Sequence, residues 1–317
     1  MKNNNDAICT WGACCEYILQ KAQLRDDFVL VLPESDFDLG RLRKLPEEKI
    51  FRASSSERGA VLSAAGLALE GKKPWIAASS ASVVDRIYGT IREAVAEAGL
   101  PVVTMAPDGG LSRGSDGVSK LMIEDLALMR AMPGMNVFVP SDMNSAFGVG
   151  DVISDLAAPS YLRLDLTDGA DLGGSDEQYR AGGARILMEG SGVTICACGV
   201  MTKQALKAAD ILEQQGISTE VIDCYCIKPF PEQTLLSSVK RTGCCVTAEE
   251  HSCIGGLGGA AAECLGRTYP VPIRFVGIGD EFVNSGTPEE LREYYGLTRK
   301  EIVSAAAQAW ALRRRQQ

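Results

Sequence analysis

The chain is almost without histidine. His251 is the only one in 317 residues, so no metal site of the ordinary histidine/cysteine type can be assembled, and most histidine-based proton transfer is excluded. No metal-ligating residue is therefore expected. The 11 cysteines include no C-x-x-C. An odd number without a secretion signal reads as reduced thiols of a cytoplasmic protein. Cys196/Cys198 and Cys224/Cys226 lie two apart inside apolar, strand-like runs and read as small buried hydrophobes. Positive charge is also in deficit. The formal net charge of -9 argues against nucleic acid or an anionic membrane as the main partner. There is no basic-then-apolar signal peptide and no apolar run long enough to cross a bilayer. No repeat of solenoid period and no low-complexity segment is found. Arg313 to Arg315 reads as a solvated helix end.

What is present is ordinary for a soluble globular chain: 46% hydrophobic and 23% charged residues. The length suits two domains, each able to bury its own core. Residues 1–8 are polar. A helix is expected over Thr10 to Gln23, then strands at Phe28–Leu32 (FVLVL), Pro74–Ala78 and Pro101–Met105. Helices are expected over Val83–Ala98 and Ile123–Met132, a strand at Asn136–Val139, a helix from Asp142, and a strand ending at Leu164. Residues 166–184 lose periodicity and gain Gly, Asp and Ser, as a linker does. Strands at VTICAC, STEVID, CCVTAEE and IRFVGI then alternate with helices over Thr202–Gln215, Pro231–Lys240 and Gly255–Leu265, and two helices close the chain. This alternation predicts an α/β protein of two doubly wound, mostly parallel-sheet domains, residues 1–165 and 185–317, joined by the linker. Ligands of such sheets sit beyond the carboxyl ends of the strands.

Three loops there could carry chemistry. FRASSSERGAVLSAAGLALEG, Phe51 to Gly71, holds one acid, Glu57, ahead of a run of small apolar residues that reads as a buried helix. Ser54-x-x-Glu57 fits a capping box. The alternative is an acid held out of water at the helix mouth, where it can hold or pass a proton. The second loop, Asp108 to Lys120, is rich in glycine, carries Asp116 and is 13 residues long, which favours a functional role. The third, EEHSCIGGLGG, Glu249 to Gly259, contains Gly256-x-Gly258-x-x-Ala261 between a strand and a helix. The acid that a dinucleotide site needs is placed only loosely, at Asp280, and close helix–sheet packing accounts for the glycines better.

Taken in order, these motifs resemble the C-terminal two-thirds of transketolase, or the second subunit of a split transketolase, from about residue 10 to about residue 310. The resemblance is carried by ERGAVLSAAGLALEGKKPW, GSDG, IEDLALMRAMPGMNVFVPSD and PSYLRL, then IKPFPE, VTAEEHSCIGGLGG and FVNSGTPEELREYYGL. It implies a pyrimidine-binding domain followed by a C-terminal domain, and thiamine diphosphate as cofactor. Glu57 matches the glutamate that hydrogen-bonds the aminopyrimidine, so that a two-carbon unit can pass from a ketose to an aldose. The family's GDG motif for the diphosphate and Mg²⁺ is missing. GDV at Gly150 and GDE at Gly279 are not GDG. A partner carrying the N-terminal, diphosphate-binding part is therefore implied, in a heterodimer or heterotetramer.

Several positions depart from the family. GEDGPTHQ is GSDGVSKL here, keeping Asp116 but placing Lys120 and Leu121 for histidine and glutamine. SHAGL is PDGGL, which puts Asp108 at a histidine position. Ser79 and Ser82 stand where aromatics pack on the pyrimidine, and GIAEQ is SSSER. The resemblance thus implies Glu57, Ser79, Ser82 and Asp116 at the cofactor, and Asp108, Asp116, Lys120 and Arg163 (of PSYLRL) at the substrate. The departures leave open a non-catalytic assembly subunit, and a deoxyxylulose-phosphate synthase or an oxo-acid dehydrogenase β-subunit remains a further alternative. His251 is equally compatible with a structural imidazole and with a role in the site.

Overall fold

Phe28–Leu32 forms strand β1, buried at every position, because a central parallel strand has helices on both faces and no side turned to water. The computed structural model describes residues 9–33, 40–53, 56–167, 169, 171–173 and 178–313. Ahead of β1 lies helix α1 (Thr10–Gln20), which is buried over most of its length. Edge strand β2 (Ile50–Arg52) follows β1, then α2 (Glu57–Leu69) and β3 (Lys73–Ala77). The helix over residues 80–96 is made of α3 (Ser80–Ser82), a wider π segment Val83–Ile87, α4 (Tyr88–Ile91) and a second π segment Arg92–Ala96. Strand β4 (Val103–Ala106), α5 (Asp125–Ala131), β5 (Asn136–Phe138), α6 (Met143–Asp155) and β6 (Ser160–Arg163) complete the first half.

The second half runs β7 (Arg185–Met188), β8 (Val193–Ala197), α7 (Met201–Gln214), β9 (Thr219–Asp223), β10 (Cys226–Lys228), α8 (Glu232–Thr242), β11 (Cys245–Ser252), α9 (Leu257–Thr268), β12 (Ile273–Ile278), α10 (Pro288–Tyr294) and α11 (Arg299–Leu312). Two mixed, mostly parallel sheets result. Their orders are β10-β5-β6-β4-β3-β1-β2 and β12-β11-β8-β9-β7. Among the described residues, only β10 and β7 run antiparallel to their neighbours. This is the α/β class expected.

Short strands β2, β7 and β10 were not expected. Each is held at a sheet edge by pairing with a distant partner, not by its own apolar pattern. Strand β10 comes from the second half but hydrogen-bonds β5 of the first sheet. One apolar cluster also runs from Val61, Ile76 and Ile91 through Met129 to Cys196, Ile222 and Leu257. The halves therefore share buried surface as well as chain. Ten of the cysteines are buried and Cys253 is partly so, as small hydrophobes should be.

One expectation about α2 is corrected. The helix is not buried all round: Ala60, Val61, Ala64, Ala65 and Ala68 face the sheet, while Leu62 and Leu69 are 49% and 73% exposed. The small residues serve a close approach to the sheet on one side only. The expected Ser54–Glu57 capping box would lie at the start of this helix. Ser54 lies outside the described residues, and the N-cap is Ser56, whose Oγ accepts from Gly59 N at 3.0 Å. Glu57 is the first helical residue.

Candidate active site

Three chain segments meet beyond the carboxyl ends of β2, β3 and β4. The start of α2 brings Glu57, the turn into α3 brings Ser79 to Ser82, and the long loop after β4 brings Asp108 to Lys120. Glu57 is half-sheltered, its side chain 17% exposed. Its Oε1 accepts from Ser82 Oγ and from Arg86 Nη1, each at 3.2 Å. Ser79 caps α3: its Oγ accepts from Ser82 N at 3.2 Å and donates to Ser82 Oγ at 3.1 Å. The expected residues Glu57, Ser79 and Ser82 thus form one connected group. Arg86 was not anticipated. It stands four residues after Ser82 in the π segment, and its only sequence signal is that helical spacing.

Asp108 is the second hub and is almost fully buried. Oδ1 accepts from Ser80 N at 2.7 Å and Oδ2 from Arg113 Nε at 3.0 Å. Both oxygens are engaged, so this acid ties the loop to α3 and its charge is matched by Arg113. Asp116 is exposed and meets Arg113 Nη1 at 3.4 Å. Lys120, also exposed, stands at the far end of the loop. Despite its glycines the loop is pinned. Gly110 bridges to Met122, Leu111 N donates to Glu250 Oε2 at 3.0 Å, and Gly286 N donates to Gly114 O at 3.1 Å. A β-carbon on Gly114 would lie 2.4 Å from Gly286 O, so this close approach admits only glycine.

Arg163 does not join this group, which corrects its expected place at the substrate. Its side chain is 6% exposed and pairs with Asp125 at 3.2 Å, and Nη2 donates to Glu250 O at 2.8 Å. Burial works against its charge, but Asp125 and Glu250 outweigh burial and hold its pKa above the ordinary value. Tyr161 Oη donates to the same Asp125 oxygen at 2.7 Å. Glu250 extends the seam, accepting from Arg292 Nε at 2.6 Å. Arg163 is therefore a pin between the two halves of the chain.

The third loop is structural as well. Glu249 accepts from Leu257 N and Gly258 N, each at 2.7 Å. The start of α9, where a dinucleotide's phosphates would have to sit, is filled by the chain's own carboxylate. A β-carbon on Gly258 would lie 2.5 Å from Phe275, so close packing explains that glycine. His251 is fully buried, with Nδ1 2.7 Å from Ser252 O and Nε2 accepting from Ala127 N at 3.3 Å. Both ring nitrogens are used, which favours the structural reading.

Family models agree with this geometry. The transketolase pyrimidine binding domain matches residues 19–166 and the transketolase C-terminal domain matches residues 182–302. The 6-deoxy-6-sulfo-D-fructose transketolase subunit SqwH of Clostridium sp. (strain MSTE9) is 37% identical over 294 residues, 92% of this chain and 91% of that protein. The chain belongs to the transketolase family. An apulose-4-phosphate transketolase subunit of Phocaeicola vulgatus is 30% identical over 305 residues, covering 95% of this chain and 97% of that one. Among solved structures, a split-gene transketolase in an inactive β4 tetramer superimposes with a TM-score of 0.89 at 35% identity, covering 97% of this chain and all of the other.

This member of the transketolase family thus corresponds to the second subunit of a split transketolase-type enzyme. It is a thiamine-diphosphate-dependent transferase type in which the full enzyme needs a partner subunit. The residues present fit the pyrimidine end of the cofactor, because Glu57 offers a half-sheltered carboxylate at the end of a helix with an open outer face. Among the described residues, no three His, Cys, Asp or Glu side chains are grouped to hold a metal ion. No helix of the described residues is long and apolar enough to cross a membrane.

Proposed function

We propose that this chain supplies the pyrimidine side of a thiamine diphosphate site shared with an N-terminal, diphosphate-binding subunit, in a heterodimer or heterotetramer. When bound, the cofactor supplies the nucleophilic carbon that takes a two-carbon ketol unit from a ketose and passes it to an aldose. Glu57 shares a proton with the ring nitrogen of the pyrimidine. Ser82 orients Glu57, and Ser79 holds Ser82. The diphosphate and Mg²⁺ belong to the partner. The observation that carries this reading is the Glu57 carboxylate, anchored at one oxygen and placed where the open face of α2 begins. The exposed Leu62 and Leu69 suit a partner packing there and closing water out of the site.

The substrate is proposed to be a sugar with an anionic end group, since the relatives named above act on a sulfo-sugar and a sugar phosphate. Lys120, exposed on the loop rim, binds that group. Asp116 faces the sugar hydroxyls, balanced by Arg113. A non-catalytic assembly subunit is the second reading, favoured by serines at the two expected aromatic positions.

Calorimetric titration of thiamine diphosphate with Mg²⁺ separates the two readings. Stoichiometric binding to the mixture of both chains, with none to this chain alone, supports a shared site. No binding to the mixture supports the assembly role.

A further inference from the structure

Glu57 has two carboxylate oxygens, and the chain treats them differently. Oε1 accepts from Ser82 Oγ and Arg86 Nη1 at 3.2 Å each. Among the described residues, Oε2 takes no hydrogen bond. A carboxylate held at one oxygen by a hydroxyl and a cation is fixed in rotation, and its other oxygen points one way. Arg86 reaches Glu57 from the π segment Val83–Ile87, and single π turns inside helices occur often at functional sites. From this asymmetry we propose that Arg86 is a positioning residue: with Ser82 it loads Oε1, so that Oε2 alone faces the ring nitrogen of a bound aminopyrimidine. The inference rests on the shared-site reading above and adds to it which oxygen works and what aims it.

Exposure decides how this can be tested. The Arg86 side chain is 64% exposed. An ion pair so wet contributes little to the fold, and replacing Arg86 should leave the chain folded. Once a partner covers α2, water is removed from around the pair and the attraction to Glu57 strengthens. The aim of Oε2 is then held where it matters, in the assembled enzyme. A bland surface ion pair would instead have no effect on the site.

The test uses the full chain assembled with its partner subunit, thiamine diphosphate and Mg²⁺. Two rates are measured: deuterium exchange at the cofactor's thiazolium C2 position, by quenched-flow NMR, and steady-state ketol transfer. Arg86→Met is expected to slow exchange about 10- to 100-fold, to lower kcat in step, and to leave KM for the ketose within about 2-fold of the unsubstituted enzyme. Arg86→Lys, which restores a cation, should recover at least half of that loss on a logarithmic scale. Glu57→Gln should abolish exchange. Normal exchange in Arg86→Met overturns the role of Arg86, even when Glu57→Gln is dead. Normal exchange in Glu57→Gln overturns the shared-site reading itself. Loss of assembly in a folded Arg86→Met chain makes Arg86 an interface residue and also overturns the proposal.

Discussion

Asp108 and Ser80 are joined by three hydrogen bonds: Asp108 Oδ1 accepts from Ser80 N at 2.7 Å and Ser80 Oγ at 3.1 Å, and Ser80 Oγ also reaches Asp108 O at 2.9 Å. With Arg113 on the other oxygen, this buried acid belongs to the frame of the site. Asp108→Ala removes the acceptor of the Ser80 backbone N–H and of Arg113 Nε, while Ser80 Oγ keeps the backbone carbonyl of residue 108. It should lower the unfolding free energy by about 3 kcal/mol, read as a fall in the denaturant midpoint. If Asp108 only touched substrate, the midpoint would hold and KM alone would change.

Lys120 makes the opposite prediction, because its side chain is exposed. Lys120→Ala should leave the melting temperature unchanged and raise KM for an anionic ketose about 10-fold, the weight of one charge-assisted hydrogen bond. The effect should shrink as salt is added. Equal kinetics of variant and unsubstituted enzyme at low salt would remove Lys120 from the substrate site.

Glu249 closes the start of α9 through two backbone N–H groups. Glu249→Ala should cost about 2 kcal/mol of stability, as the loss of a buried cap does. Adding a nicotinamide dinucleotide to the unsubstituted chain should leave its melting temperature where it is. A rise on addition would restore the dinucleotide reading of Gly256-x-Gly258-x-x-Ala261.

The thiols should be nearly inert. Burial pushes Cys14 and Cys226 up to about 12 and Cys244 up to about 11. Cys196 runs the other way, its thiolate favoured by hydrogen bonds from Cys224 and Cys245, but it is wholly buried. Cys253 is the partly exposed one, and burial raises its pKa too. A thiol reagent should therefore label one cysteine of the native chain. Its rate should climb with pH later than an ordinary cysteine's does, because the thiolate forms later. All 11 should react after unfolding. Fast labelling of several thiols at neutral pH would contradict the buried core.

Much of the fold was legible because it is local. The β1 run FVLVL and the β12 run IRFVGI are strands over the very residues expected, and Asp142 caps α6 where the sequence placed its start. Strands β2, β7 and β10 carry too few residues for a pattern of their own and exist through pairing, β10 with a strand far earlier in the chain. The site divides along the same line. Motif order brings Glu57, Ser79 and Ser82 together, whereas Asp108, expected at the substrate, is buried with both oxygens held by Ser80 and Arg113. Arg163 could not be placed by motif order, because its orientation is decided by Asp125 and Glu250, neither of them near it in sequence. Arg86 was missed because a charged residue on a helix is ordinarily solvated, and nothing local says that it turns toward Glu57. Glu249 was missed as a cap because its partners lie eight and nine residues on, beyond the reach of a capping box.

In the shared-site proposal, Glu57 carries the chemistry of a site completed by a second subunit. The most direct test is ketol transfer from a ketose by the reconstituted two-subunit complex, with assembly followed by sedimentation, for the unsubstituted chain and Glu57→Gln. The sedimentation profile should be unchanged and kcat should fall by at least about 100-fold, the usual scale for removing a proton-handling side chain. A fully assembled Glu57→Gln complex turning over at the unsubstituted rate would contradict the proposal.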